Sequence, residues 1–335
     1  MSTPERVDPR DTEGIAAWYD VFRAAMDEGR PYPVTWTLEE LRVSLLEPTE
    51  YAAKEIWIVR NETQAVAGAM FLDVPLKDNT FALSARIGVR ADARRQGYGS
   101  ALAQAIEERA AYYGRTVVQA QVDIPLGNDT DTPAQAFARS FGLTPANFEV
   151  HRVLELPLAE DVLDKLSEEA AQHHEGYHLR SWQDHCPDDL VDAFAALQAS
   201  FNLEAPHGEL EVEAAVWDAD RVRSVENQSL AQGRHGWMTV AIAPDGSLAG
   251  HTELYVGKHD PGNVFQWGTL VSPAHRGHRL GLALKAHNHR ELQRSHPEPL
   301  VVHTWNGEAN TAMNAVNAKL GFRPVELHEE WQRSG

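Results

Sequence analysis

A single cysteine, Cys186, stands in 335 residues, so no disulfide can form within the chain, and a reducing compartment is the simple expectation. Long apolar runs are missing as well. The longest are strand-sized, and none approaches the roughly 20 residues that cross a bilayer. The opening stretch, MSTPERVDPRDTEG, is polar and acidic and carries no apolar core of a secretory signal. These absences lead to the expectation of a cytoplasmic protein with no membrane partner. Positive charge is also scarce: 30 Lys and Arg stand against 49 Asp and Glu, a formal net charge of −19. That balance argues against a general nucleic-acid binder, which needs a basic face against the phosphates. It weakly favours a cationic ligand through the summed field, although an acidic surface that only aids solubility accounts for it better. Against these absences, a hydrophobic share of 43% and a charged share of 24% are those of a soluble globular chain. The length suits two domains, each able to bury its own core.

What is present is a repeat. Gly68, Val89, Gly99 and Leu102 recur as Gly250, Val271, Gly281 and Leu284, all at one offset of 182 residues. Gly142 recurs as Gly321 at 179, the small change that a different loop length produces. The chain is therefore read as a duplication. Copy one begins with helices expected over 11–28 and 37–46, the second opened by the capping-box pattern Thr37 to Glu40. Copy two begins with helices expected near 188–200 and 208–228. Three strands follow in each copy: EIWIV, AVAGAMFL and FALSARIGV in the first, GWMTVAIA, LAGHTELYV and NVFQWGTLV in the second. The turn signals NET (61–63) and PDG (244–246) join the first two strands of each set. A glycine-bearing loop then opens a helix (97–113; 279–295), followed by a strand, a short helix (132–141; 310–319) and a closing hairpin. A linker helix is expected at about 158–173. The predicted architecture is α/β (α+β): two tandem folds, each a mixed, mostly antiparallel sheet flanked by helices. Its domains are 1–156, a linker over 157–176, and 177–335.

The loop after the third strand carries the chemistry. A strand, a turn and then a helix whose first amides are unbonded make an anion site, reinforced by the helix dipole. Neither a dinucleotide-binding G-x-G-x-x-G after the first strand nor a G-K-[ST] phosphate loop is present.

VRADARRQGYGSAL and VSPAHRGHRLGLAL resemble motif A of the GNAT N-acyltransferase superfamily, V-x-P-x-x-R/Q-x-x-G-x-G/A. NTAMNAVNAKLGF resembles its motif B, N-x-x-A-x-x-x-Y-x-x-x-G-F. The resemblance covers nearly the whole chain twice and is similar in plan to tandem members of that superfamily. It implies that the loop amides grip the pyrophosphate of acetyl-CoA, with the pantetheine arm filling a gap where the valine strand parts from the next strand. On the matching positions, the cofactor-binding residues are Leu270, Val271, Arg276, Gly277, His278, Arg279, Leu280, Gly281, Asn310 and Asn317 in copy two. In copy one they are Val89, Arg94, Arg95, Gly97 and Gly99. Arg279 replaces the first glycine of the pair; an ordinary helical φ there makes a non-glycine inexpensive and lets its guanidinium meet a phosphate. Asp131 and Ala138 erode motif B of copy one. In copy two Asn317 stands at the tyrosine position, so neither copy has the thiolate-protonating tyrosine of the family.

Transfer to an amine needs a neutral nitrogen and therefore a base. Glu253 is the expected base, with His303 or His251 in reserve; His251 lies two residues away on the same strand face. Phe71 and Ala69, which cannot titrate, stand at the matching positions of copy one, so copy two is read as catalytic and copy one as a degenerate scaffold. Gln266, Trp267, Trp305 and Asn306 are expected to line the acceptor cleft, though Trp267 and Trp305 also read as core or wall. No metal is expected: His275, His278, His287 and His289 straddle the phosphate loop without a cysteine. The resulting function is acetyl-CoA-dependent N-acetyl transfer to a small-molecule amine through a ternary complex, by a monomer or homodimer. The alternatives are an acyl-CoA-binding or sensing protein that transfers nothing, and an acyltransferase using a longer acyl-CoA.

Overall fold

Period-two burial and well-placed caps set most of the elements in the computed structural model, which describes residues 3–128, 131–204, 206–298 and 300–335, with backbone alone at 202 and 203. In chain order the first copy contains β1 (Glu5–Arg6), α1 (Thr12–Asp27), α2 (Leu38–Leu46), β2 (Ala52–Arg60), β3 (Val66–Pro75) and β4 (Ala82–Val89). It continues with α3 (Tyr98–Tyr113), β5 (Val117–Pro125), α4 (Pro133–Ser140) and β6 (Thr144–Leu156). The helix α5 (Glu160–Ala171) then leads to β7 (His178–Gln183), α6 (Val191–Glu204), α7 (Ala219–Ala231), β8 (Arg234–Ile242), β9 (Leu248–Gly257) and β10 (Asp260–Val271). The chain ends with α8 (Leu280–Ser295), β11 (Leu300–Gly307), α9 (Thr311–Leu320) and β12 (Arg323–Ser334).

The capping box at Thr37 and Glu40 is formed in both directions, and Thr132 with Gln135 builds a second one at α4. The helix expected over 208–228 is displaced. Its start is set by Asp218, whose side chain accepts from the Arg221 amide at 2.8 Å, so the helix begins at Ala219. Gly208, in the left-handed region at φ +58, lies in the irregular segment before it.

The residues gather into two compact units that do not follow one cut. The first comprises 1–148, 207–212 and 326–335; the second comprises 149–206 and 213–325. In the first unit the strand order is β1-β2-β3-β4-β5-β12, and β12 pairs antiparallel with β5 from Glu326↔Pro125 to Ser334↔Val117. In the second it is β6-β11-β10-β9-β8-β7, and β6 pairs with β11 from Glu149↔Gly307 to Leu156↔Leu300. Among the described residues the closing hairpin expected in each copy is therefore absent: β6 and β12 run as single strands, each laddered in the unit containing the other copy's sheet. Alternation along a strand decides which face is buried and leaves the choice of neighbour open.

Each unit packs α3 or α8 against its sheet. In the second, Leu282, Ala283, Ala286 and Leu292 of α8 meet Leu254, Val256, Val264 and Val302. In the first, Leu102, Ala105, Ile106 and Ala110 of α3 meet Met70, Leu72 and Leu83. Each leucine, isoleucine, valine and methionine among these contributes roughly 1.5–3 kcal/mol on burial.

The feature that makes a site is where the parallel pairs stop. β10 pairs with β11 only from Asn263↔Val301 to Phe265↔His303, and β4 pairs with β5 only from Ala82↔Val117 to Ala85↔Ala120. Beyond those points, at the end of each sheet beside its glycine-bearing loop, no ladder pair joins the two strands among the described residues, and β11 is tied to β10 by Thr304 Oγ1 donating to the Gln266 carbonyl at 3.4 Å.

Candidate active site

The loops are built alike. A short 3-10 turn, Pro273–His275 or Ala91–Ala93, follows the valine strand, and Arg276 or Arg94 hooks back to the carbonyl of Val271 or Val89 through Nε at 3.4 and 3.2 Å. Two residues of each loop are left-handed: Gly277 (φ 89) and Arg279 (φ 51) in the second unit, Arg95 (φ 64) and Gly97 (φ 89) in the first. Arg279 thus does not have the helical φ expected of it; it caps α8 in the left-handed region, and its guanidinium is paired with Glu169. The two copies exchange glycine and arginine between the same two turn positions. The amides of residues 277–281 enter no backbone hydrogen bond of a turn or cap among the described residues and so remain donors at the helix start. Arg276 rests on Glu204 at 2.5 Å and Arg94 on Glu28, exposed pairs of small net value that a phosphate can displace. Of the histidines around the loop, His275 bonds Tyr177 and His278 bonds the His173 carbonyl, while His289 is buried within α8.

Across the sheet from α8, on the face covered by α6, the second unit gathers its acid–base groups. His251 Nδ1 lies 3.0 Å from Glu253 Oε1, off the line of a hydrogen bond, and its Nε2 is unbonded. Gln198 of α6 donates to the same carboxylate, and the rings of Phe194 and Phe201 stand 5.6 and 6.3 Å from His251. Opposite this pair the β9–β10 register slips between Gln266↔Leu254 and Thr269↔Thr252, a bulge containing Trp267 and Gly268. A Cβ on Gly268 would lie 3.1 Å from His251 and 3.7 Å from Glu253 Oε1, so the glycine keeps the space above them open. Trp267, 47% exposed, stacks with Phe265 and Trp305, and Trp305 stacks on His151 at 4.5 Å. His303 bonds His151 at 2.9 Å through Nδ1 and Asn263 at 2.8 Å through Nε2. His303 therefore stands in a histidine–asparagine chain and is not brought to Glu253.

Gln266 does not join Trp267. Its Nε2 donates to the Glu253 carbonyl at 2.6 Å and to Thr252, fastening β10 to β9. Asn310 caps α9 by accepting from the Met313 amide, and Gly281 starts α8 with Val271 and Val316 nearby. Leu270 and Val271 pair with His251 and Gly250. Asn317 is fully buried between Lys285 and Asn306. Sequence patterns gave no signal for Gln198, Phe194, Phe201 or His151, because each comes from a helix or strand distant in the chain, nor for Lys285, whose partner Asn317 lies on another helix.

The first unit differs at the equivalent places. β3 and β4 pair without a slip, and Phe71 faces Arg86. Arg86, at offset 182 from Gly268, donates to Gln121 across the unpaired stretch of the two strands. Arg30 forms two bonds to Glu326 (2.6 and 2.7 Å) and lies 3.0 Å from Asp123, which also meets His328 at 2.6 Å. Burial pushes the Asp123 carboxyl up, yet His328, Arg30 and Arg86 hold it at about 2. A cavity of about 480 Å³ remains beside Val89, Arg90 and Arg94.

Two such breaks in strand pairing, each beside a helix-start anion loop on a mostly antiparallel sheet, define a tandem acyltransferase fold. Residues 17–143 match the acetyltransferase (GNAT) family model. The chain is 28% identical over 341 residues to mycothiol acetyltransferase of Salinispora arenicola (strain CNS-205), covering 98% of this chain and 96% of that protein. A solved tandem GNAT protein from the clavulanic acid biosynthesis pathway superposes with a TM-score of 0.81 at 27% identity, covering 100% and 98% of the two chains. A GCN5-related N-acetyltransferase from Sphaerobacter thermophilus shares the fold at 16% identity and a TM-score of 0.67, covering 99% and 95%. The first copy thus matches the family model, and the chain is similar along nearly its whole length to tandem GNAT acetyltransferases. The family draws its acyl groups from acyl-CoA.

Proposed function

We propose that the second unit transfers the acetyl group of acetyl-CoA to the amine of a small molecule by direct attack within a ternary complex. Glu253 takes one proton from the ammonium form of the acceptor, the neutral nitrogen adds to the thioester carbonyl, and as the C–S bond breaks the proton shed by the nitrogen on amide formation passes to the sulfur, so that coenzyme A leaves as its thiol. Arg276 and the amides of 277–281 hold the pyrophosphate, the gap between β10 and β11 takes the pantetheine arm, and Trp267 and Trp305 wall the acceptor side. The observation that carries this reading is the Glu253–His251 pair at 3.0 Å beneath the open bulge at Gly268. In the first unit the same places hold Phe71, Ala69 and the Arg86–Gln121 bridge, which supply no base. We assign that unit a scaffold role. The name of the Salinispora relative puts mycothiol-type amines first in an acceptor panel.

The decisive variant is Glu253→Gln. Loss of a positioned base lowers kcat by about 10²–10⁴ while the acetyl-CoA Kd stays as in the wild type. Equal turnover in the variant removes Glu253 from the mechanism. Asn317, in place of an ionisable tyrosine, favours a second reading in which the protein binds acyl-CoA without transfer. Acetyl-CoA binding without release of free thiol for any amine of the panel decides for that reading.

A further inference from the structure

Between α8 and α9 lies a cation for which the proposed transfer has no use. Lys285 is 1% exposed; its Nζ donates to Asn317 Oδ1 at 2.7 Å and stands 5.3 Å from the centre of the Phe322 ring. No carboxylate pairs with it among the described residues. Burial draws its pKa down to about 7, as an ammonium without a counter-ion requires. His289, one turn further along α8, offers no partner: both its ring nitrogens are unbonded, and burial takes its pKa to about 3, leaving it neutral.

The hydrogen bonds leading away from Lys285 have one direction. Below about pH 7 Lys285 is an ammonium, which only donates, so Asn317 turns Oδ1 toward it and its NH₂ away. Asn317 Nδ2 then donates to Asn306 Oδ1 at 2.6 Å. Asn306 has spent its oxygen as acceptor, so its own NH₂ is left to donate, and among the described residues it has no acceptor. Asn306 lies on the stretch of β11 beyond Phe265↔His303, where no ladder pair joins the strand to β10 among the described residues.

We propose that Lys285 is a positioning residue that sets the polarity of the Asn317–Asn306 pair, so that the Asn306 amide donates to the carbonyl oxygen of the acyl thioester between β10 and β11. An amide N–H prefers that oxygen to the thioester sulfur, which is a weak acceptor. The oxygen is also where negative charge develops during acyl transfer, so a donor oriented in advance acts on the transition state. A lysine kept only to fill space has no such rationale, because an apolar side chain of similar volume avoids the cost of burying the charge. The inference rests on the second unit being the one that holds the donor.

The test uses the full chain and acetyl-CoA carrying ¹³C at the carbonyl, read by isotope-edited infrared difference spectroscopy, with Kd from calorimetry. Wild-type protein is expected to shift a bound carbonyl band to lower wavenumber. Lys285→Met, Asn317→Asp and Asn306→Ala are each expected to lose that shift, with Kd changing by no more than about tenfold, the equivalent of 1.4 kcal/mol. Lys285→Met should melt no lower than the wild type; a lower melting temperature with the band retained marks a purely structural lysine and overturns the proposal. So does a wild-type band at the free position, or a shifted band that survives Lys285→Met and Asn317→Asp. Gly281→Glu separates the underlying reading: it should remove one equivalent of acetyl-CoA, and if it removes none, the assignment of the donor to this half fails, whatever the band does.

Discussion

Burial and partner together decide what the individual titratable groups can do. Cys186 is 2% exposed, and burial, with the Glu226 carboxylate nearby, pushes its thiol up to about 12. The thiolate is the reactive form, so the native protein should resist iodoacetamide at pH 8 and react once unfolded, as mass spectrometry would register. Lys285 carries the opposite burden. The native protein releases its proton near pH 7, whereas the unfolded chain holds it to about the ordinary value of 10.5. Between those values unfolding takes up a proton, so this lysine's contribution to stability rises with pH through the window, and its penalty is full below it. Lys285→Met should therefore raise the melting temperature by about 2–4 °C at pH 6 and flatten the rise toward pH 10, in thermal scans across that range. At this scale the chain announced Glu253 and His251 through period two, since residues two apart on a strand share a face. It was silent on Gln198, which reaches the same carboxylate from α6.

At the level of elements, the loop and the strand crossing below it impose the tightest steric terms. A Cβ on Gly250 would fall 2.4 Å from the Leu270 carbonyl oxygen, whereas on its counterpart Gly68 the nearest atom is the flexible Leu102 Cδ1 at 3.0 Å. Gly250→Ala should cost at least about 2 kcal/mol in denaturant unfolding, and Gly68→Ala distinctly less. Arg279 occupies a left-handed conformation that an L side chain adopts at a cost of about 1–2 kcal/mol. Arg279→Gly should then be as stable as the wild type or more so, the lost exposed pair with Glu169 offsetting little. The motif showed which residues form this loop. It did not show φ at each of them, because the copies place glycine at different members of the same two positions. The bulge at Trp267 and Gly268 was equally invisible, being a slip between two strands and not a pattern within one.

For the molecule as a whole, the interleaving of the two units governs how it can be divided. Residues 326–335 belong to the first unit, where Trp331 is 1% exposed and Glu326 holds Arg30 in two hydrogen bonds. Residues 149–156 belong to the second and complete the ladder along β11. A cut at 156/157 strips each half of a paired strand and bares the edge of β5 or β11. Fragments 1–156 and 157–335 should aggregate when expressed separately and recover solubility when co-expressed, by size-exclusion chromatography. The net charge of −19 acts at this scale too. For a cationic acceptor KM should rise with added salt, and for acetyl-CoA it should fall or hold steady, as the field is screened.

The duplication, the order of elements, the capping boxes and the family loop were all written in local pattern, because periodicity, caps and turn chemistry act over a few residues and leave their mark in the chain itself. Three-dimensional packing alone decided which strands pair, where β10 slips past β9, and what surrounds Glu253 and Lys285. Those outcomes depend on burial and hydrogen bonding between segments that can lie more than a hundred residues apart, a competition among partners that no single stretch of sequence records.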